Sequence, residues 1–366
     1  MLAPSPPPPL PTPRGPVTSW LIRTLRGADT EAPLSEPPPD PSDDPVLGED
    51  APLALYLCYE LHYRGFDGVD ERWEWHPDLL RVRHGLEARF EARLRELVGS
   101  YDAPDDVVAW LQERLAQQQG PSLAAWMEEH PDLALVREDA VLRSVYQLKE
   151  ADPHSWMIPR LWGRPKAALV EIQAEEYGDG VEKDMHSGLF GLTMSRLGLD
   201  PSYGAYLDRV PGVALSPVNL ISLFGLHRRL RGALVGHLAA FEMTSVPLMS
   251  RYTNLLRDLG FDSWTRLFYD THIVADSHHQ TVAAHELVAG LLEQEPGVAS
   301  DVLFGVLALE QVEGALARRV LGCWTEGRSA LLRPLPDGLP TPGRGDGPPP
   351  ASDPRLDEAP ATPLAG

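Results

Sequence analysis

The chain has 366 residues and a hydrophobic fraction of 43%, which is enough apolar material for one large or two modest domains. Its formal net charge of -21 argues against a nucleic-acid partner, because a phosphate backbone would be repelled. Only Cys58 and Cys323 are present, which excludes a disulfide-rich scaffold, a cysteine-rich zinc site and a cysteine-ligated iron–sulfur cluster on this chain alone.

Proline is concentrated at both ends of the chain: 14 of the 37 prolines precede Gly48, and 10 lie from Pro334 onward. These end segments hold too little apolar material to offset the entropy of ordering, so residues 1–48 and 334–366 are expected to be disordered tails. The first segment lacks the apolar region and cleavage site of a signal peptide, and no run of about 18 apolar residues occurs. A cytoplasmic protein without a membrane partner is therefore expected.

Helical periodicity begins after the first tail. Residues 49–150 are expected to form an N-terminal helical region, with amphipathic helices over 53–63, 78–98, 105–119, 122–129 and 139–149. In the first of these helices Glu60 and His62 are two positions apart and face different directions, so a packing role is favoured over metal binding.

Residues 151–333 are expected to form the second folded region, with a connector rich in Pro and Trp over 156–165 near its start. Helices are predicted over 166–177, 180–197, 218–243, 247–260, 263–295 and 298–332, with a loop over 201–217. Period-2 alternation is scarce, and neither a glycine-rich phosphate loop nor an internal repeat is visible. The predicted fold class is all-α.

One predicted helix, which starts near Ser263, carries two histidines and an aspartate on one stripe. Positions four and seven apart return to nearly the same face at about 100° per residue, so His272, Asp276 and His279 point to one spot. The helix is apolar enough for the core, and buried polar groups need partners. A metal ion would be such a partner; a core histidine bonded to a nearby aspartate is the alternative.

Carboxylates on other apolar helices decide whether one or two metal ions would be held. Glu242 lies in an apolar helix, where an unpaired carboxylate would be costly to bury. Glu176 precedes His186 by ten residues, and an ideal helix would then miss a common face by about 80°. Gly178 and Gly180 permit a local unwinding that brings the two residues together.

Other metalloprotein classes fit the sequence less well. A ferritin-like diiron bundle uses two Glu-x-x-His motifs, and none of the 12 histidines has a glutamate three residues before it. The zincin motif His-Glu-x-x-His is also absent. A haem oxygenase with one proximal histidine would leave the buried Glu242 and Asp276 unexplained.

At these residues the chain resembles the haem-oxygenase-like diiron oxidases and oxygenases, the iron-containing redox enzymes. The family pattern is a Glu and a His on one core helix, a Glu on a second, and His-x-x-x-Asp-x-x-His on a third. It is matched here by Glu176 with His186, by Glu242, and by His272 with Asp276 and His279. The resemblance covers roughly residues 50–330. It implies a haem-oxygenase-like helical bundle with two ferrous ions as cofactor and O2 as co-substrate.

N-oxygenase members of this family carry a further glutamate ligand on a preceding helix. Glu150 lies where that ligand is expected, although a surface acid is the alternative. The resemblance then implies oxidation of a small molecule by O2, with N-oxygenation of an amine through a peroxo-diferric intermediate as the leading hypothesis. Oxidative C–C cleavage or desaturation of an amino or fatty acid is the alternative within this class. A non-catalytic metal-binding helical scaffold with partner-recruiting Pro-rich tails is the alternative from another class.

Residues around the predicted ligands have expected roles as well. Glu175 and Asp179 are candidates for orienting ligands or relaying protons. His278 and His285 share a stripe without a carboxylate between them, so a surface or supporting role is expected. The expected partners are a small-molecule substrate and an electron donor that is external or substrate-derived, and homodimer formation is compatible with the sequence.

Overall fold

The computed structural model describes residues 6–27, 30, 33–38, 40, 42–117 and 120–340, and no strand occurs in these ranges. The α-helices are α1 (Pro16–Leu25), α2 (Asp50–Glu60), α3 (Pro77–Val98), α4 (Val107–Ala116), α5 (Leu123–Glu129), α6 (Leu133–Gln147), α7 (Asp152–Ser155), α8 (Gly163–Glu176), α9 (His186–Arg196), α10 (Gly212–Leu226), α11 (Arg231–Asp258), α12 (Ser263–Thr281), α13 (Ala289–Gln294) and α14 (Ala299–Thr325). A π-helix, Val282–Val288, joins α12 to α13. The prediction of an all-α helical fold is confirmed for these residues.

The bundle is built around α11, which packs against α12 on one side and α14 on another. Two glycines allow α11 and α14 to approach closely. A Cβ atom at Gly236 would overlap the backbone carbonyl of Val302, and one at Gly305 would overlap that of Ala233. The contact therefore requires glycine at both positions, and it fixes the axis of the helix that carries Glu242.

Two prolines lie inside helices at positions where the sequence predicts helix boundaries. Pro217 was expected to close a loop but lies within α10, and Pro247 was expected to start a separate helix but lies within α11. Proline removes one helical hydrogen bond and costs roughly 3 kcal/mol in a helix interior. We attribute the continuity of α11 to its burial between α12 and α14, which outweighs this local cost.

The expectation of disorder throughout residues 1–48 is wrong for Pro16–Leu25. This segment forms α1, and its apolar side chains, including Trp20 and Leu21, are buried. Asp50 accepts hydrogen bonds from the backbone N–H groups of Val17 and Thr18, so the carboxylate caps the start of α1. The proline-rich flanks dominate the average composition of residues 1–48, so composition alone does not reveal this helix. Residues that stabilise it, such as Asp50, lie far along the chain.

The last described residues, 334–340, lie along the folded part: Arg137 donates a hydrogen bond to the carbonyl of Pro340. The disorder predicted for residues 341–366 lies outside the described residues.

The division of the folded part into two regions at residue 150 stays a prediction. Two helices that precede residue 150 pack on helices that follow it: α2 packs on α10, and α3 packs on α14.

None of the helices in the described ranges combines the length and the apolar composition needed to cross a membrane.

Candidate metal centre

Glu176 and His186 lie on either side of a break between α8 and α9. Within the break Gly178, Asp179 and Gly180 have φ angles of 61°, 52° and 79°, a left-handed conformation that glycine adopts without a steric penalty. The reversal brings Nδ1 of His186 to 2.8 Å from Oε2 of Glu176. The unwinding predicted at the glycines is therefore present, but the two residues lie on two helices and not on one.

The stripe on α12 is buried along its length, at His272, Asp276 and His279. Nδ1 of His272 lies 2.8 Å from the carbonyl oxygen of Phe268. If Nδ1 carries the proton and donates it there, Nε2 is free to bind a metal. Nδ1 of His279 lies 3.2 Å from Oδ1 of Asp276, while its Nε2 lies 3.1 Å from Oε2 of Glu175. Glu175 is thus in the position of an acid that orients a histidine ligand.

Glu242 reaches the same spot from α11. Its side chain is buried, and Oε2 lies 3.2 Å from Nδ1 of His279. Glu150 approaches from the turn after α6, where its Oε1 atom lies 3.6 Å from Nε2 of His272. Glu150 is therefore a buried member of the cluster and not a surface acid.

Two groups of potential ligands share one carboxylate, that of Glu176. The first group is Glu150, Glu176, His186 and His272; the second is Glu176, Glu242, Asp276 and His279. Within each group the donor atoms lie within 4.8 Å of one another. A carboxylate has two oxygen atoms, so Glu176 is placed to contact two cations at once. All seven residues predicted from the sequence come together here, and their role as ligands stays a prediction.

Several lone pairs in the cluster are not used by the protein. Oε2 of Glu150 is buried without a hydrogen-bond partner. Oε2 of Glu176 and Oδ1 of Asp276 lie beside histidine nitrogens but outside hydrogen-bond geometry. Buried polar atoms are nearly always partnered in native proteins, so unused acceptors in a set of carboxylates and imidazoles fit metal ions.

The electrostatics of the cluster also favour added positive charge. Burial alone would favour neutral imidazoles, yet Glu150 and neighbouring carboxylates raise the pKa of His272 to about 10. Burial raises the pKa of Glu242 to about 8, so this carboxyl group holds a proton more tightly than usual. Without cations the four carboxylates are thus balanced by protons, which metal ions would displace.

A cavity of about 350 Å³ adjoins the cluster. Cluster residues Glu150, Glu176, Glu242, His272 and Asp276 line one part of it. Most of the remaining wall is apolar and comes from α6, α10, α11, α12 and α14; it includes Leu142, Val145, Ile221, Phe241, Leu248, Met249 and Leu316. This space would hold a small organic molecule next to the candidate metals.

Histidines and acids that the sequence assigned to other roles lie outside the cluster. His278 is exposed and lies 2.9 Å from Glu171, and His285 lies 3.3 Å from Gln112. Asp179 is exposed in the turn after α8. Glu60 is paired with the buried Lys149, as expected of a packing role.

Sequence reasoning missed Tyr146, which lines the cavity one helical turn before Glu150. Burial, together with the nearby Glu150, raises the pKa of its phenol well above the usual value, so it remains a proton donor. The signal was available, because four residues separate Tyr146 from a predicted ligand. The buried pair His154 and His237, whose Nε2 and Nδ1 atoms are 3.2 Å apart, had no comparable signal.

Comparison with known proteins agrees with this geometry. Residues 137–314, which include all seven candidate ligands, match the model of a family described as iron-containing redox enzymes. The chain is also similar to the nitrosourea synthase of Streptomyces achromogenes subsp. streptozoticus, with 26% identity over 160 residues. That match covers 43% of this chain and 34% of the synthase, so the chain spans about a third of that protein's length. The family resemblance of the sequence is thereby confirmed.

Proposed function

We propose that this iron-dependent oxidoreductase, a relative of the iron-containing redox enzymes, holds two ferrous ions and uses O2 to oxidise a small molecule at an amine nitrogen. The observation that carries the proposal is the shared position of Glu176 in two groups of buried ligands. A mononuclear site would leave one of these groups without a cation. The set of four carboxylates and three imidazoles is typical of paired iron ions.

Each ion would have its own residues besides the shared one. Glu150, His186 and His272 would hold the first ion, and Glu242, Asp276 and His279 the second, with Glu176 between them. When bound, two ferrous ions supply electrons and open coordination positions for the reduction of O2.

The protein's own groups would orient these ligands and supply protons. The carbonyl of Phe268 would fix the ring of His272. Glu175 lies 3.1 Å from Nε2 of His279 but outside hydrogen-bond geometry, and it would orient that ring once the bond is aligned. Tyr146 remains a neutral phenol next to the cluster and can donate a proton to oxygen as it is reduced. The largely apolar cavity wall would limit the water next to the reacting atoms once a substrate fills the space.

Two observations support nitrogen as the atom oxidised. Glu150, which lies where the sequence resemblance places the additional glutamate of N-oxygenases, is buried beside His272. The similar synthase from Streptomyces is named for a product with an oxidised nitrogen. The apolar cavity would also accept an alkyl chain, so oxidative C–C cleavage or desaturation of an amino or fatty acid is the second candidate.

The test begins with anaerobic titration of the metal-free full chain with ferrous iron, followed by exposure to O2. The expected result is two irons per chain, both oxidised according to Mössbauer spectroscopy, with consumption of O2. The variants Glu242→Ala and His279→Ala should bind less iron. His278→Ala, which alters the exposed histidine next to His279, is the matched control and should retain two irons.

A panel of primary amines and amino acids under 18O2 then separates the chemistries by mass spectrometry. Labelled oxygen on nitrogen supports N-oxygenation, whereas loss of a carbon fragment or of two hydrogens without label supports the second candidate. Binding of at most one iron per chain, or unchanged iron content in both Glu242→Ala and His279→Ala, would refute the two-iron proposal. Iron binding without O2 consumption would favour the non-catalytic scaffold.

A further inference from the structure

The cavity has a second polar end, away from the metal cluster. On α11, Tyr252 follows Glu242 by ten residues, which corresponds to a rise of about 15 Å. On α12, Tyr269 precedes Asp276 by seven residues, or about 10 Å. Asp139 on α6 lies at this same end, because it accepts a hydrogen bond from the hydroxyl of Tyr252. The cavity thus runs along three helices, with ligands at one end and Asp139 at the other.

Asp139 is a buried acid with an unused oxygen. Its side chain lines the cavity and the residue is only 2% exposed. Oδ2 accepts the hydrogen bond from Tyr252 at 2.9 Å, but Oδ1 has no partner. Burial raises the pKa of Asp139, since its charged form lacks solvation. A buried carboxylate with one satisfied oxygen carries an energetic cost that a bound hydrogen-bond donor would relieve.

Neighbouring charges on the cavity wall are already paired. Arg143 donates to both carboxylate oxygens of Glu313, at 2.9 and 2.8 Å. The other charged wall residues outside the metal cluster are Glu310, which is paired with Arg114, and Arg251, which is paired with Glu128. Among the described residues of this wall, Asp139 is therefore the acid without a salt bridge, and the charge of Arg143, which is engaged by Glu313, only partly offsets the effect of burial on its pKa.

Between the two ends the wall is mostly hydrophobic. Leu142, Val145, Leu248 and Met249 lie between Asp139 and the cluster in the sequence order of their helices. This stretch favours an aliphatic segment of the bound molecule, because it offers few hydrogen-bond partners.

We propose that Asp139 binds a primary ammonium group at one end of the substrate, whose aliphatic middle occupies the cavity and whose other end reaches the metal cluster. The inference rests on the proposed function for the identity of the reacting end. It adds a specificity-determining residue and a substrate class, namely an elongated aliphatic amine with a reacting group about 10–15 Å from the ammonium.

Three probes with the same eight-carbon chain test the charge preference: 1-octylamine, 1-octanol and octanoate. Binding is measured by calorimetry at pH 7 to the full chain loaded with Mn2+, so that no oxidation occurs. We expect the amine to bind at least tenfold more tightly than the alcohol, and the carboxylate to bind more weakly still. Equal binding of amine and alcohol would overturn the proposal, whatever the behaviour of the variants.

The variant Asp139→Asn removes the charge at nearly constant volume. It should weaken amine binding at least tenfold and change alcohol binding less than twofold. The matched control is Asp270→Asn, because Asp270 accepts a hydrogen bond from Thr253, next to Tyr252, but does not line the cavity. Asp270→Asn should leave the preference for the amine intact.

Manganese content and thermal unfolding are measured for each variant. Unchanged amine affinity in Asp139→Asn would overturn the assignment, and so would a loss of manganese, since Asp139 would then act through the fold. The result is independent of oxygen chemistry. A preference for the amine without iron-dependent O2 consumption would support the role of Asp139 and refute the proposed function. Iron-dependent O2 consumption without a preference for the amine would support the proposed function and refute the role of Asp139.

Discussion

Lys149 forms a buried ion pair with Glu60, with 2.7 Å between Nζ and Oε2, one residue before the candidate ligand Glu150. The side chains of the pair are 1% and 0% exposed, and the hydroxyl of Tyr203 donates to the other oxygen of Glu60. Ala151, immediately after Glu150, has a φ angle of 72°, which is unfavourable for a residue other than glycine. The ion pair thus anchors a strained segment that delivers Glu150 to the cluster.

Lys149→Met is expected to lower the free energy of unfolding by about 3–5 kcal/mol, because it leaves Glu60 buried and uncompensated. The double variant with Glu60→Gln should recover most of this loss. Urea denaturation of the metal-free protein measures both. Equal stability of the wild type and Lys149→Met would show that the pair does not anchor the segment.

Glu176→Ala is expected to reduce iron binding more than any other single ligand substitution, since Glu176 belongs to both groups. Glu242→Ala should lose one ion and retain the one held by Glu150, His186 and His272. Iron per chain after anaerobic loading and desalting gives the comparison. Identical iron content in the two variants would argue against a shared carboxylate.

The buried His154 and His237 predict a loss of stability in acid. Burial lowers the pKa of His154 to about 4, and burial lowers the pKa of His237 well below its usual value. In the unfolded chain both would titrate near 6.5, so below that pH the unfolded state binds more protons. Their stabilising contribution is present above pH 6.5 and is lost as the pH falls toward the folded pKa values.

His237→Phe should remove part of this dependence. Between pH 6.5 and 5 the free energy of unfolding of this variant should fall less steeply than that of the wild type. The difference between the two slopes is expected to reach up to about 1.4 kcal/mol per pH unit. Buried carboxylates with raised pKa values act in the opposite direction in both proteins, so the difference between the two is the informative quantity. His278→Ala, at an exposed site, serves as the control and should keep the wild-type slope. Parallel curves for the wild type and His237→Phe would contradict the assignment of a neutral buried pair.

Leu21→Ala tests whether α1 belongs to the folded core. Leu21 is 1% exposed, and truncation of a buried leucine costs about 2–5 kcal/mol. The exposed Arg23 on the same helix provides the control Arg23→Ala, which should change stability by less than about 0.5 kcal/mol. If both variants unfold at the wild-type urea concentration, residues 16–25 do not contribute to the core.

The parts of the site that could be predicted depend on local geometry. The stripe of His272, Asp276 and His279 follows from the helical period alone, and the sequence placed it on one face as the structure does. The approach of Glu176 to His186 required a break, and the two glycines indicated where it would occur. These features lie within about ten residues of one another in the chain.

The remaining features depend on contacts between distant segments. Glu176 is shared by two groups because side chains from α9, α11 and α12, together with Glu150 after α6, converge on it, which no local pattern encodes. Asp139 is indistinguishable in the sequence from a solvent-facing acid of an amphipathic helix, and only the packing of Tyr252 against it shows that it is buried. The same holds for α1, whose cap, Asp50, lies more than 30 residues away.

The π-helix at Val282–Val288 has a consequence for how the gene can vary. A π-helical turn accommodates about one residue more than an α-helical turn, so it has the form of a single-codon insertion inside an otherwise continuous helix. Deleting one residue between Thr281 and Ala289 would allow ordinary α-helical hydrogen bonding and still keep α13 in phase with α12. A one-residue deletion at this point is therefore expected to leave His279 in place.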